Sequence, residues 1–172
     1  MILNSILLAV LIICIFTDLK ERKIYNKVLF PALLAVFLIQ FTTGGWDAFV
    51  VASQGFFVGL SILLIPYLLG GMGAGDVKLL ALIGACKGTV FVLNTAIYMA
   101  LLGGIFALFV LLFRKGAIQR MKGILYFMHG RRYGLKTPLL IGKEGLTATY
   151  PYGLAIAGGA FISLLAKGWV LL

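Results

Sequence analysis

Ile2-Leu3-Asn4-Ser5-Ile6-Leu7-Leu8-Ala9-Val10-Leu11-Ile12-Ile13-Cys14-Ile15-Phe16-Thr17 runs without a charge into Asp18-Leu19-Lys20-Glu21-Arg22-Lys23. At 1.5 Å per residue the apolar part rises about 24 Å, barely enough for a hydrocarbon core of about 30 Å. The basic residues that follow it, Lys20, Arg22, Lys23 and Lys27, put this end of the helix inside and the N-terminus outside, because cytoplasmic loops hold the excess of Lys and Arg. No basic residue precedes the run and no small-residue cleavage pattern follows it. It is therefore expected to remain as the first helix and not to be removed as a signal peptide.

Similar runs recur outward from this one. The chain of 172 residues is 62% hydrophobic and 12% charged, where soluble domains average about 25% charged. Lipid offers no partner to free backbone groups, so helices are the expected spanning form. The predicted crossings are 2–17, 28–42, 48–69, 77–88, 91–113 and 151–172. This gives a single all-α membrane domain over 1–172 with six transmembrane helices, both termini outside and a basic cytosolic loop at 114–150. The division between the fourth and fifth helices is open, with Lys87-Gly88 and Asn94-Thr95 both candidate turns. In this topology thirteen of the fifteen basic residues lie on the inner segments, leaving Lys87 and Lys167, while Trp46 and Trp169 fall at the outer interface. Membrane sidedness thus accounts for most of the +10 net charge, and no nucleic-acid partner is expected.

Only five residues are acidic, and two of them stand at the ends of apolar runs on the same inner side. Asp18 ends the first helix and Asp76 opens the fourth. Carboxylates at a bilayer boundary are costly and usually functional. Two close together do not both ionise easily, so one serves as base and the other as acid. Each also has a plain reading: Asp76 as a helix N-cap, Asp18 as an interfacial charge paired with Lys20 or Arg22. Gly70, Gly71, Gly73 and Gly75 tilt the balance, since a cap needs one such residue at most. Glycine lets another chain approach the backbone closely, and a peptidase must admit an unwound substrate strand beside its catalytic groups.

Gly73-Ala74-Gly75-Asp76-Val77-Lys78-Leu79 resembles the GxGD motif, with its following Lys-Leu, of the type IV prepilin peptidases and archaeal preflagellin peptidases. Asp18 through Asn26 resembles the first-aspartate region of these membrane aspartic proteases, where a short basic stretch ends in Ile-Pro-Asn; here Tyr25 replaces the proline. Tyr150-Pro151-Tyr152-Gly153 resembles the Pro-aromatic-Gly sequence that opens the family's last helix. The resemblance implies an endopeptidase of the cell membrane with Asp18 and Asp76 catalytic. It would remove the basic leader from prepilin or pseudopilin precursors at the cytoplasmic face. Gly73, Gly75, Lys78 and Asn26 are site-shaping or substrate-binding candidates, Lys78 either recognising a substrate carboxylate or acting on the neighbouring Asp76.

The larger bacterial form of the family carries a zinc-binding cytosolic domain with paired CxxC motifs, for which the interval from Asp18 to Lys27 leaves no room. Cys14 and Cys86 lie about 6 and 15 Å along their helices from the two aspartates, which makes them neither a metal pair nor disulfide partners. No metal and no cofactor are expected. His129, the single histidine, has no nucleophile or HExxH pattern around it. Ile118, Met121, Leu125 and Met128, interleaved with Arg120, Lys122, Arg131 and Arg132, suggest an interfacial helix against anionic headgroups; a solvated basic loop is the other reading. The alternative function is a non-enzymatic transporter or assembly subunit that uses the same carboxylates for proton transfer or packing.

Overall fold

A computed structural model describes residues 2–113 and 152–166, all of it helix and short connections. The helices are α1 (Ile2–Glu21), α2 (Asn26–Leu68), α3 (Ala74–Lys87), α4 (Thr89–Phe113) and α5 (Tyr152–Ala166). The chain divides into two compact units, residues 1–103 with 150–172, and residues 104–149. Of the second unit only the helical residues 104–113 are described. The basic segment 114–150, His129 and Trp169 lie outside the described residues.

Three helical stretches are long and apolar enough to cross a membrane: Ile2–Glu21, Asn26–Leu68 and Thr89–Phe106. The second of them is one helical run by its hydrogen bonding, but it is broken at Gly45, whose φ of 66° and ψ of −153° are not helical. The ring centroids of Phe37 and Phe49 are 5.6 Å apart, and those of Phe37 and Phe56 5.8 Å. In a straight helix Phe37 and Phe56 would be separated by about 28 Å. The run therefore reverses near Gly45 into two arms packed side by side, which correspond to the expected stretches 28–42 and 48–69. Trp46, at the reversal, is exposed and stacks on Phe49 at 5.5 Å. The open boundary between the fourth and fifth stretches falls at Gly88, whose φ of 86° ends α3.

Among the described helices α3 is the one buried along nearly its whole length: Asp76, Val77 and every residue from Leu79 to Cys86 are buried. It packs mainly on α2, and α1 and α5 also touch it. Glycines allow that packing. A Cβ on Gly55 would overlap the Gly84 carbonyl oxygen, and one on Gly84 the Gly55 carbonyl oxygen. A Cβ on Gly59 would lie 2.6 Å from the Leu80 carbonyl oxygen. Gly55 and Gly59 stand four apart on one face of α2, the small-residue spacing that brings helix backbones together where lipid supplies no hydrophobic drive between helices. Gly159 of α5 does the same against α4, with its Cβ position 2.7 Å from the Thr95 oxygen and the Met99 nitrogen.

The outward faces are apolar as well. Ile12 and Phe16 on α1, Phe30, Leu34 and Leu38 on α2, and Val90, Ile97 and Leu101 on α4 are exposed. Large aliphatic and aromatic side chains outside, with small residues and two carboxylates inside, suit a protein whose surroundings are lipid.

Candidate active site

Asp18 lies in the last turn of α1, with the Arg22 N–H closing that turn on the Asp18 carbonyl at 2.9 Å. Its side chain is only 5% exposed. One carboxylate oxygen, Oδ2, accepts a hydrogen bond from the Leu154 N–H at 3.3 Å. Leu154 belongs to the first turn of α5, where backbone amides have no carbonyl of their own helix to bond. Gly153 makes room for this contact: a Cβ there would stand 2.8 Å from Oδ2 and 3.0 Å from Cγ of Asp18.

Asp76 lies in the first turn of α3 and is 8% exposed. Gly73 is the residue that caps α3, in extended backbone at φ −82° and ψ 150°. Asp76 reaches back to it, accepting the Gly73 N–H at 3.1 Å on Oδ2, while its own N–H donates to the Gly73 carbonyl at 3.1 Å. The capping role foreseen for Asp76 is thus present in reciprocal form, from the third helical position and not from the cap itself.

The charge on Asp18 acts at Asp76, and the charges of both act at the buried Cys14 thiol, one turn before Asp18. Two buried acids on helices distant in sequence are each held by a backbone amide, Asp18 by Leu154 and Asp76 by Gly73.

Gly75 and Gly73 serve the chain's own architecture. A Cβ on Gly75 would lie 2.7 Å from the Ile24 Cβ and 3.0 Å from its carbonyl oxygen, so the connection between α1 and α2 lies directly against the start of α3. The space expected to admit a substrate strand is, at this glycine, filled by Ile24. A Cβ on Gly73 would stand 3.3 Å from Asp76 Oδ2. The Lys78 ammonium donates to the Asn26 side-chain oxygen at 2.9 Å, joining α3 to the first residue of α2. Tyr25, in the place of the expected proline, donates its hydroxyl to Glu21. These ties hold the 22–25 connection, which leads from α1 into α2, beside the start of α3. Among the described residues no cluster of three or more His, Cys, Asp or Glu could hold a metal.

The contribution of Gly153 and Leu154 to the Asp18 site was not anticipated. The Pro-aromatic-Gly sequence at 151–153 marks a helix start, but nothing local connects it with an aspartate in the first helix.

The described residues are all-helical, with apolar helices long enough to cross a membrane and two buried carboxylates at helix ends. A model of the type IV leader peptidase family matches residues 5–108, a stretch that includes both aspartates, and the chain belongs to that family. It is a peptidase. Neither a curated protein nor a solved structure matches it.

Proposed function

We propose that this protein is an aspartic endopeptidase that removes the basic leader from prepilin-like precursors at the cytoplasmic face of the cell membrane, with Asp18 and Asp76 as its catalytic pair. The observation that carries this reading is the burial of both carboxylates at helix ends, with the charge on Asp18 acting at Asp76. Family membership supports the reaction class. The basic flank Lys20, Arg22, Lys23 and Lys27 next to Asp18 supports the sidedness, and with it six crossings and external termini.

In this reading one carboxylate is ionised and its partner holds a proton. The ionised group takes a proton from water as the water oxygen attacks the scissile carbonyl carbon, and the protonated group donates to the carbonyl oxygen. The tetrahedral intermediate collapses when the newly protonated carboxyl passes its proton to the leaving amine, the C–N bond breaks, and the other carboxylate takes back a proton from one of the two hydroxyls, which restores the starting pair. One water is consumed, and a carboxyl and an amine terminus are released. Gly73 and Leu154 hold the two acids by backbone bonds, while Asn26 and Lys78 fix the connection beside them. A prepilin or pseudopilin precursor would present its leader junction here, just before its own hydrophobic helix.

The deciding experiment is mass spectrometry of a prepilin-like precursor incubated in detergent with the wild-type protein and with Asp18→Asn or Asp76→Asn. Cleavage at one junction by the wild type, absent in both folded variants, is expected. A precursor left intact by the wild type, or cut equally by the variants, sinks the proposal; intact precursor together with proton flux abolished by the same substitutions would favour the transporter reading.

A further inference from the structure

We propose that Gly153 is a positioning residue for Asp18: its missing side chain leaves the seat in which the Leu154 amide holds the Asp18 carboxylate, so that α5 sets where this group stands toward Asp76. The inference rests on the aspartic reading proposed above and assigns a role to a helix that lies beyond the stretch matched by the family model.

Three observations converge on the seat. A Cβ on Gly153 would meet three successive atoms of one side chain, Oδ2 at 2.8 Å, Cγ at 3.0 Å and Cβ at 3.2 Å of Asp18, and among the described residues no other is as near. The Leu154 N–H reaches the same Oδ2 at 3.3 Å. Gly153 is itself buried, as are Ala155, Ile156 and Ala157 beyond it, so the first turn of α5 is held in place by packing. A first-turn amide presented to a carboxylate is a favourable arrangement for an anion.

The consequence of adding a methyl group differs from that at the other tightly packed glycines. At Gly55, Gly84 and Gly159 the obstacle is backbone, and the helices themselves must part. At Gly153 the nearest obstacle is a carboxylate that turns on two rotatable bonds, so it moves most, while the Asp18 Cβ at 3.2 Å asks the helices to give by only a few tenths of an ångström. A displacement near an ångström at a reacting group costs about 100-fold in rate. Gly158 provides a control on the same helix: its Cβ position meets only the flexible end of Leu102, at 2.9 Å.

The test compares Gly153→Ala, Gly158→Ala, Asp18→Asn and wild type as full-length protein in detergent, cleaving a prepilin-like precursor. For Gly153→Ala, kcat is expected to fall about 100-fold with KM unchanged, and the limits of the pH–rate profile to move; Gly158→Ala should keep the wild-type profile. Wild-type kcat and pH profile in Gly153→Ala, with Asp18→Asn inactive, overturn the positioning role and leave the aspartic reading standing. Full activity in Asp18→Asn overturns both. Should Gly153→Ala not fold, hydrogen exchange decides instead: in Asp18→Ala the Leu154 amide should exchange faster than in wild type while the later amides of α5 are unchanged. An unchanged Leu154 amide also overturns the proposal.

Discussion

The charge on Asp18, in the last turn of α1, acts at Asp76, in the first turn of α3, although the whole of α2 intervenes between them in the chain. In the proposed reaction the two carboxylates work as a unit, and replacing either by Asn is expected to cost about 10²–10⁴ in rate, the loss of a general acid or base. The double variant Asp18→Asn with Asp76→Asn is expected to be no slower than the slower single variant, because groups that act together are non-additive. Single-turnover cleavage of one precursor by all four proteins checks this, and a double variant slower by the product of the single effects would contradict a common step.

The same unit dictates the pH dependence. Below the lower apparent pKa of the pair both groups are protonated and no base remains. Above the upper one both are ionised and no acid remains. A bell-shaped kcat/KM profile is expected, its two limbs belonging to the pair and not to either residue. A profile that rises to a plateau and stays there would mean that a single group carries the reaction.

Gly55 and Gly84 set the distance between α2 and α3. Gly55→Ala or Gly84→Ala puts a methyl group into a backbone carbonyl, and overpacking of this kind costs about 1–3 kcal/mol. Among the described residues no atom lies within 4 Å of the Gly103 Cβ position, so Gly103→Ala should instead stabilise α4 by about 0.5–1 kcal/mol through helix propensity. Thermal unfolding in one detergent compares the three, and equal shifts would show that glycine packing between α2 and α3 is not what determines stability.

Lys78 and Asn26 share one hydrogen bond, at 2.9 Å and exposed. Lys78→Ala and Asn26→Ala should therefore have similar and modest effects on cleavage, within about tenfold for the loss of one such bond. Their double variant should resemble either one alone. A much larger loss for Lys78→Ala than for Asn26→Ala would assign Lys78 a contact with substrate beyond its tie to α2.

Gly75 separates two uses of a glycine. Gly75→Val would drive the side chain into Ile24 and displace the connection between α1 and α2 from the start of α3. Cleavage should fall, and trimming the obstacle in Gly75→Val with Ile24→Ala should restore part of it. No recovery in the double variant would indicate that the space at Gly75 belongs to the substrate.

Much of the arrangement was legible in the chain. Apolar runs longer than soluble helices need, few charges and a one-sided distribution of Lys and Arg announce membrane helices, because lipid imposes these requirements residue by residue. The rarity of acids drew attention to Asp18 and Asp76, and the glycines before Asp76 marked an unusual helix start. The boundary at Gly88 was less readable, since Lys87-Gly88 and Asn94-Thr95 carry similar local turn signals and only packing selected between them. Gly75 was recognised as a site of close approach, but its neighbour proved to be Ile24 of the same chain.

By itself the amino-acid sequence determined that this is an all-helical membrane protein with two acids at helix ends and glycines beside one of them. Tertiary structure decided the partners: Leu154 for Asp18, Gly73 for Asp76, Asn26 for Lys78, and α3 as the buried centre of the described helices. The physical reason is that helices apolar on every side carry little pattern to say which face turns inward. Their mutual arrangement depends on where backbones can come close and where buried polar groups find hydrogen bonds, and those conditions exist only once the helices have met.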